Sequence, residues 1–208
     1  IATLDPIRDC QEIVQLLATY EYPYDTQRAL ELALFYTYGS QSVSKLLDKT
    51  REFANDGQKR YDDTRILIGL FLESGWEGDF GRQAIERINR THSHYSIYND
   101  DFLFVLWTFI EFPIRWSKQF AYRAMTAHEQ KAWFHFWHEV GTRLNIQHIP
   151  ANKKAFDDWV KHYETREMLP CAANHRVANA TAAIMENWLP KPLRPSVKWM
   201  VRGLMEEH

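Results

Sequence analysis

Cysteine is scarce: Cys10 and Cys171 are the only two in 208 residues, and they lie far apart in the chain. That excludes a disulfide-stapled scaffold. One bridge could form, and a reducing compartment suits the chain equally. No charge sign dominates, since 27 acidic residues face 25 Lys and Arg for a net charge of -2. No global field therefore draws the chain to nucleic acid or to an anionic membrane. Long apolar runs are missing too. Phe102 to Trp116 comes nearest, but Glu111 and Pro113 interrupt it well short of membrane-spanning length. No secretory signal marks the N-terminus, which sets a cytoplasmic location as the expectation. The first residue is isoleucine, not methionine, so the chain can be a piece of a longer one. Membrane association is then expected to run through a segment outside these residues.

Several catalytic signatures are absent as well. Gly75 and Gly78 match neither a dinucleotide-binding nor a Walker phosphate loop, and no Gly-x-Ser-x-Gly elbow occurs. No glutamate has a histidine three residues later, which weighs against a carboxylate-bridged di-iron bundle. His135 and His138 can face together, but a metal site needs more ligands, and an amphipathic helix with histidines at its polar edge is the simpler reading. Cys171, with His175 four residues on, reads as a structural thiol. Lys191 to Pro195 is a short basic linker, too small for nucleic-acid binding. No Cys-x-x-Cys-His occurs, so any haem is non-covalent.

What the chain does have is aromatic bulk and helical rhythm. It carries 8 Trp, 10 Tyr and 12 Phe, enough to fill a large core or line a flat cofactor. Apolar residues recur at helical spacing nearly throughout, with no alternating strand, repeat or low-complexity tract. Pro6 starts a first helix with Ile7, Ile13 and Val14 on its apolar face. Pro23 and Asp25 open a second, which Gly39 stops; Ser40 caps a third; Asn55-Asp56-Gly57 signals a turn. A long helix follows to Ser74, with Ile66, Leu67, Leu70 and Phe71 inward, broken by Gly75 and Gly78. Phe80 to His94 is the next. Asn99 or Asp100 caps the aromatic helix that Pro113 ends or kinks, and Thr126 with Glu129 forms a capping box for Ala127 to Leu144. Three more helices complete an all-α, single-domain expectation for residues 1–208.

Arg87 to Asp101 is the most informative stretch. His92 and His94 stand at i and i+2, so a regular helix cannot offer both to one metal. His92 continues the inward stripe of Ile88 and Asn89, and His94 lies off it. A neutral imidazole beside an aromatic wall suits haem iron, which needs one nitrogen ligand and a dry slot. Two histidines closing a helix, where they suit the C-terminal dipole, is the competing account. Arg60 and Thr64 share a face one helical turn apart. They could hold a carboxylate and donate to an oxygen ligand, or Arg60 could merely pair with Asp63 or Asp56 at the surface.

Taken in order, KRYDDT (59–64), NRTHSHYSIYNDD (89–101), LFVLW (103–107), WHEVGTRLNIQHIP (137–150) and WVKHYE (159–164), with the Leu189 to Pro195 segment, resemble the MpaB/rubber oxygenase (latex-clearing protein) catalytic domain. The likeness spans about Thr50 to Met205 and is nearest the MpaB-like branch. It implies an all-helical fold enclosing one b-type haem, and oxygen-dependent cleavage of a carbon–carbon double bond in an apolar isoprenoid or lipid-like substrate. It further implies His92 as the proximal iron ligand, with His94 as the alternative, and Arg60 and Thr64 on the distal side. The rubber enzymes carry a lysine where this chain has Asp63, so a lysine-capped resting state is not expected. Glu52 and Glu73 are the candidates for the family's glutamate base. A haem-binding carrier or sensor, or a relative without haem, is the other class the residues allow.

Overall fold

A computed structural model describes residues 1–206. Ten α-helices, with no strand among the described residues, run in the order α1 (Cys10–Leu16), α2 (Pro23–Thr37), α3 (Gln41–Thr50), α4 (Glu52–Ser74), α5 (Asp79–His92), α6 (Asn99–Gln119), α7 (Ala127–Arg143), α8 (Lys153–Glu167), α9 (Ala172–Asn187) and α10 (Ser196–Glu206). The all-α expectation holds. A π-helical turn at Leu17–Glu21 follows α1, and a 3-10 turn at Lys191–Leu193 precedes α10.

Two packed groups share the chain. In one, α6 lies against α2, α7 and α8. In the other, α4 packs on α5, α9, α3 and α1, and α10 rests on α9. The aromatic run of α6 is core rather than slot. Phe104 is fully buried, its ring stacked on Tyr163 at 4.5 Å. The Trp107 and Trp116 indoles donate to Asp157 and Asp25, each at 2.8 Å. Burying an aromatic with a polar edge requires such a partner, and these bonds fix the register of α6 against α8 and α2. Phe102, at the start of α6, turns its ring to His92.

Pro113 does not end α6, which continues through it to Gln119. A proline there leaves the carbonyl four residues earlier, that of Phe109, without its helical partner. Trp133 of α7 supplies one: its indole N–H donates to Phe109 O at 3.0 Å. A defect within the helix is thus satisfied from the neighbouring helix.

Other local rules hold or shift. Ser40 and Asn152 cap α3 and α8, and Thr126 with Glu129 forms the expected capping box of α7. Neither Asn99 nor Asp100 caps α6. Tyr98 occupies the N-cap, and Asn99 instead exchanges two hydrogen bonds with Gln147, tying the loop after α7 to the start of α6. Asp25 does not cap α2; it lies in the first turn, where it accepts from Trp116. The Asn55-Asp56-Gly57 turn signal appears as a kink at Asp56 inside α4, with φ -135° and ψ 38°. Pro6 starts only turns ahead of α1, and Ile7 is exposed, as is Ile66 on α4. Gly75 ends α4 with φ 65°, and a Cβ on Gly81 would lie 1.8 Å from the Gly75 carbonyl oxygen. Only glycines allow this approach, which folds α5 back along α4.

Candidate functional site

The candidate site forms where the two packed groups meet. The C-terminus of α5, the N-terminal half of α4 and the start of α6 converge there. His92 is the last residue of α5. It is half-buried, its ring tilted against that of Phe102 with centroids 5.1 Å apart. Burial, and then the nearby positive charge of Arg60, push its pKa below the ordinary histidine value. A neutral imidazole results, the form that binds metal. His94 is exposed, with Nδ1 3.3 Å from the Thr91 carbonyl oxygen.

Arg60 comes to this corner as the sequence pattern suggests, but with a different acidic partner. Its Nε lies 3.7 Å from Glu52 Oε2, while Asp63 takes Lys59 at 2.8 Å and faces Arg87 at 3.9 Å. Glu52 also accepts from the Tyr95 hydroxyl at 3.2 Å. Glu52, Arg60 and Tyr95 therefore form a polar chain beside His92. Glu73 lies at the other end of α4, 13 residues beyond Arg60 or about 20 Å at the helical rise, so only Glu52 is near. Thr64 shares the face of Arg60, but its hydroxyl donates to the Arg60 carbonyl at 3.0 Å. To donate to a ligand it must leave that bond.

An open groove of about 400 Å³ runs alongside, lined by Arg87, Arg90, Thr91, His94 and Tyr95. Of these, only His94 is a site candidate in the sequence reading; Arg87, Arg90, Thr91 and Tyr95 are not. In retrospect the signal is there: 87, 90, 91 and 94 follow the i, i+3, i+4, i+7 stripe of one helical face. On α7, His135 and His138 flank Phe134 at the edge of the core, as the simpler reading has it. Both cysteines are free thiols.

The donor set bears directly on any cofactor. Among the described residues no three His, Cys, Asp or Glu side chains gather as a metal-binding group. A bare ion would find too few protein ligands here. A haem iron needs only one or two, because the macrocycle supplies four nitrogens. His92 meets that requirement, with Phe102 as a flat apolar neighbour and the cations Arg60, Arg87 and Arg90 at hand for propionate carboxylates.

Comparison with known proteins now decides the family. Residues 43–208 match the family described as ER-bound oxygenase mpaB/B'/Rubber oxygenase, catalytic domain. The chain belongs to this family. Among similar members is the ER-bound oxygenase mpaB of Penicillium roqueforti (strain FM164), 31% identical over 202 residues, covering 88% of this chain and 68% of that protein. The ER-bound oxygenase mpaB' of Penicillium brevicompactum is 31% identical over 197 residues, covering 86% of this chain and 47% of that protein. The mpaB of Penicillium brevicompactum is also 31% identical, over 85% of this chain and 50% of its own length. The chain thus spans about two thirds of the first of these mpaB-type relatives and about half of the other two. No solved structure matches it. The matched family region contains α4, α5 and α6, and so the whole candidate site.

Proposed function

We propose that this mpaB-family domain is a haem b-dependent oxygenase that cleaves a carbon–carbon double bond of an apolar, isoprenoid or lipid-like small molecule. The observation that carries this reading is the position of His92: a half-buried, neutral imidazole against Phe102, facing the arginine-bearing helix α4. The bound haem would supply the redox-active iron and dioxygen chemistry that no amino-acid side chain provides. The remaining requirements fall to this chain. His92 would hold the iron through one ring nitrogen. Arg60 places a permanent positive charge beside it, suited to a carboxylate or to negative charge that develops during reaction. Glu52, held between Arg60 and Tyr95, is a carboxylate able to take up a proton at the edge of the site. The relatives' names, all oxygenases, support the reaction class.

Those relatives are also named as ER-bound. We extend to this chain the coarser reading that it works beside a membrane, although no helix among the described residues is long and apolar enough to cross one.

Titration of the purified protein with hemin tests the assignment. The expected result is one equivalent bound with a sharp Soret band. His92→Ala should lose or strongly shift that band, and His94→Ala should keep it. The reverse pattern moves the ligand to His94, and no band in the wild type ends the haem reading.

A further inference from the structure

From the surface chemistry of α10 and the turn before it, we propose that this segment is a docking surface for an anionic lipid bilayer. The helix packs on α9 through Val197, which is buried, and its next-turn neighbour Val201. Trp199 projects from the opposite face and is 73% exposed; Met200 beside it and Leu193 in the preceding turn are each 54% exposed. Nothing in the core needs these three side chains outside. Three large apolar side chains exposed within eight residues are a candidate contact surface.

Charge identifies the partner. Lys191, Arg194, Lys198 and Arg202 lie within twelve residues that contain no acid, in a chain whose net charge is -2. Lys191 and Lys198 are exposed, and Lys198 lies 3.9 Å from Glu186 of α9. On a helical projection, Lys198 and Arg202 flank Trp199 on one side and Met200 flanks it on the other. This is the composition of a helix lying in the headgroup plane: an aromatic anchor with a polar edge, aliphatic neighbours, and cations that pair with anionic lipid. A second protein surface would more commonly meet a polar rim of mixed sign. The acid-free stretch favours a surface that is uniformly negative. In a molecule slightly negative overall, such a patch also orients the approach.

The proposal rests on the membrane-proximal reading given above and not on the haem assignment. Co-sedimentation of the full chain with phosphatidylcholine vesicles, with and without 30 mol% phosphatidylserine, tests it, using about 0.1 M salt so that charge is only partly screened. Binding to the phosphatidylserine vesicles is expected, falling steeply with added salt. Lys191→Gln and Lys198→Gln should each weaken it about five-fold, the scale expected for one cation near an anionic surface. Trp199→Ala should abolish it. All three positions are exposed, and an unchanged far-UV spectrum and melting temperature would show that the variants fold. Three results overturn the proposal: no sedimentation with anionic vesicles, Trp199→Ala binding as well as wild type, or a wild-type dimer that Trp199→Ala dissociates. Failure here with a normal Soret band would leave the haem reading standing, and the converse also holds.

Discussion

The Tyr163 hydroxyl donates to Asp101 Oδ1 at 2.6 Å, joining α8 to the first turn of α6. Ser42 of α3 donates to the other carboxylate oxygen at 2.6 Å, and Ser40 lies 2.8 Å from the same tyrosine hydroxyl. Three helices meet at one buried acid. Burial raises the Asp101 pKa, and the two donated hydrogen bonds only partly offset that. A carboxyl with a higher pKa folded than unfolded binds more protons in the native state, so its contribution falls as pH rises through the window above 3.8. Asp101→Asn keeps an acceptor for Tyr163 and removes the buried charge. It should leave stability at pH 7 unchanged or higher and abolish that fall. Asp101→Ala leaves the donors short of partners and should cost about 1–3 kcal/mol. Urea unfolding from pH 4 to 8 reads both, and an Asn variant as destabilised as the Ala variant would show that the charge itself is required.

A second prediction concerns the helix defect at Pro113. Trp133→Phe keeps the ring and removes the donor to the Phe109 carbonyl, so it should destabilise by about 1–3 kcal/mol. Pro113→Ala restores a backbone N–H at the position that normally serves that carbonyl. The double variant should therefore lose less than the two single costs added together, with a coupling of about 1 kcal/mol. Additive costs would mean that the indole bond does not compensate for the proline.

The third involves Arg123 and Glu129. The guanidinium donates to both carboxylate oxygens of Glu129 at 2.8 Å, and the Thr126 backbone N–H donates at 2.7 Å. Burial works to raise the Glu129 pKa, but the bonds from Arg123 and Thr126 outweigh it and hold the group below 4.5. This carboxylate therefore contributes stability that is complete above its unfolded pKa and lost as pH falls through the folded one. Arg123→Met should cost about 1–2 kcal/mol at pH 7, since the guanidinium is partly solvated and screened. The loss should shrink as pH falls through the folded Glu129 pKa, because protonation removes the charge that Arg123 partners. A penalty independent of pH would assign Arg123 to packing against Tyr22 and Tyr122 instead.

The fold was legible because its signals are local. Periodicity located the helices, and Ser40, Thr126 and Gly75 punctuate the chain as their chemistry requires. Where reading by residue went astray, a distant partner decided the outcome. Pro113 sits inside a helix because Trp133 answers for it, and Asn99 serves Gln147 rather than a helix end. The site shows the same division. The half-buried phase of His92 follows from the stripe of α5. The pairing of Arg60 with Glu52 depends on the kink at Asp56, and the aromatic run is consumed by contacts to α2, α7 and α8 that no single segment displays.

The last prediction separates the roles open to Arg60 and Thr64. Arg60 has a charge near His92 and a carboxylate partner in Glu52, while Thr64 is engaged with its own helix. In the haem-loaded protein, Arg60→Ala should behave in one of two ways. Retention of the Soret band with turnover lowered about 10²–10³-fold would assign the guanidinium to charge stabilisation. Weakened hemin binding would assign it to a propionate carboxylate. Thr64→Val removes only the hydroxyl. Because that hydroxyl already has a backbone acceptor, its loss should cost little stability, and any change in cyanide affinity would show that it can turn toward the iron. Glu52→Gln, read by hemin and cyanide binding and not by turnover, uncouples Arg60 from its present partner. If Arg60→Ala and Thr64→Val both keep wild-type hemin and cyanide affinities, the pair is a feature of the α4 surface, and the distal side must be built from other residues.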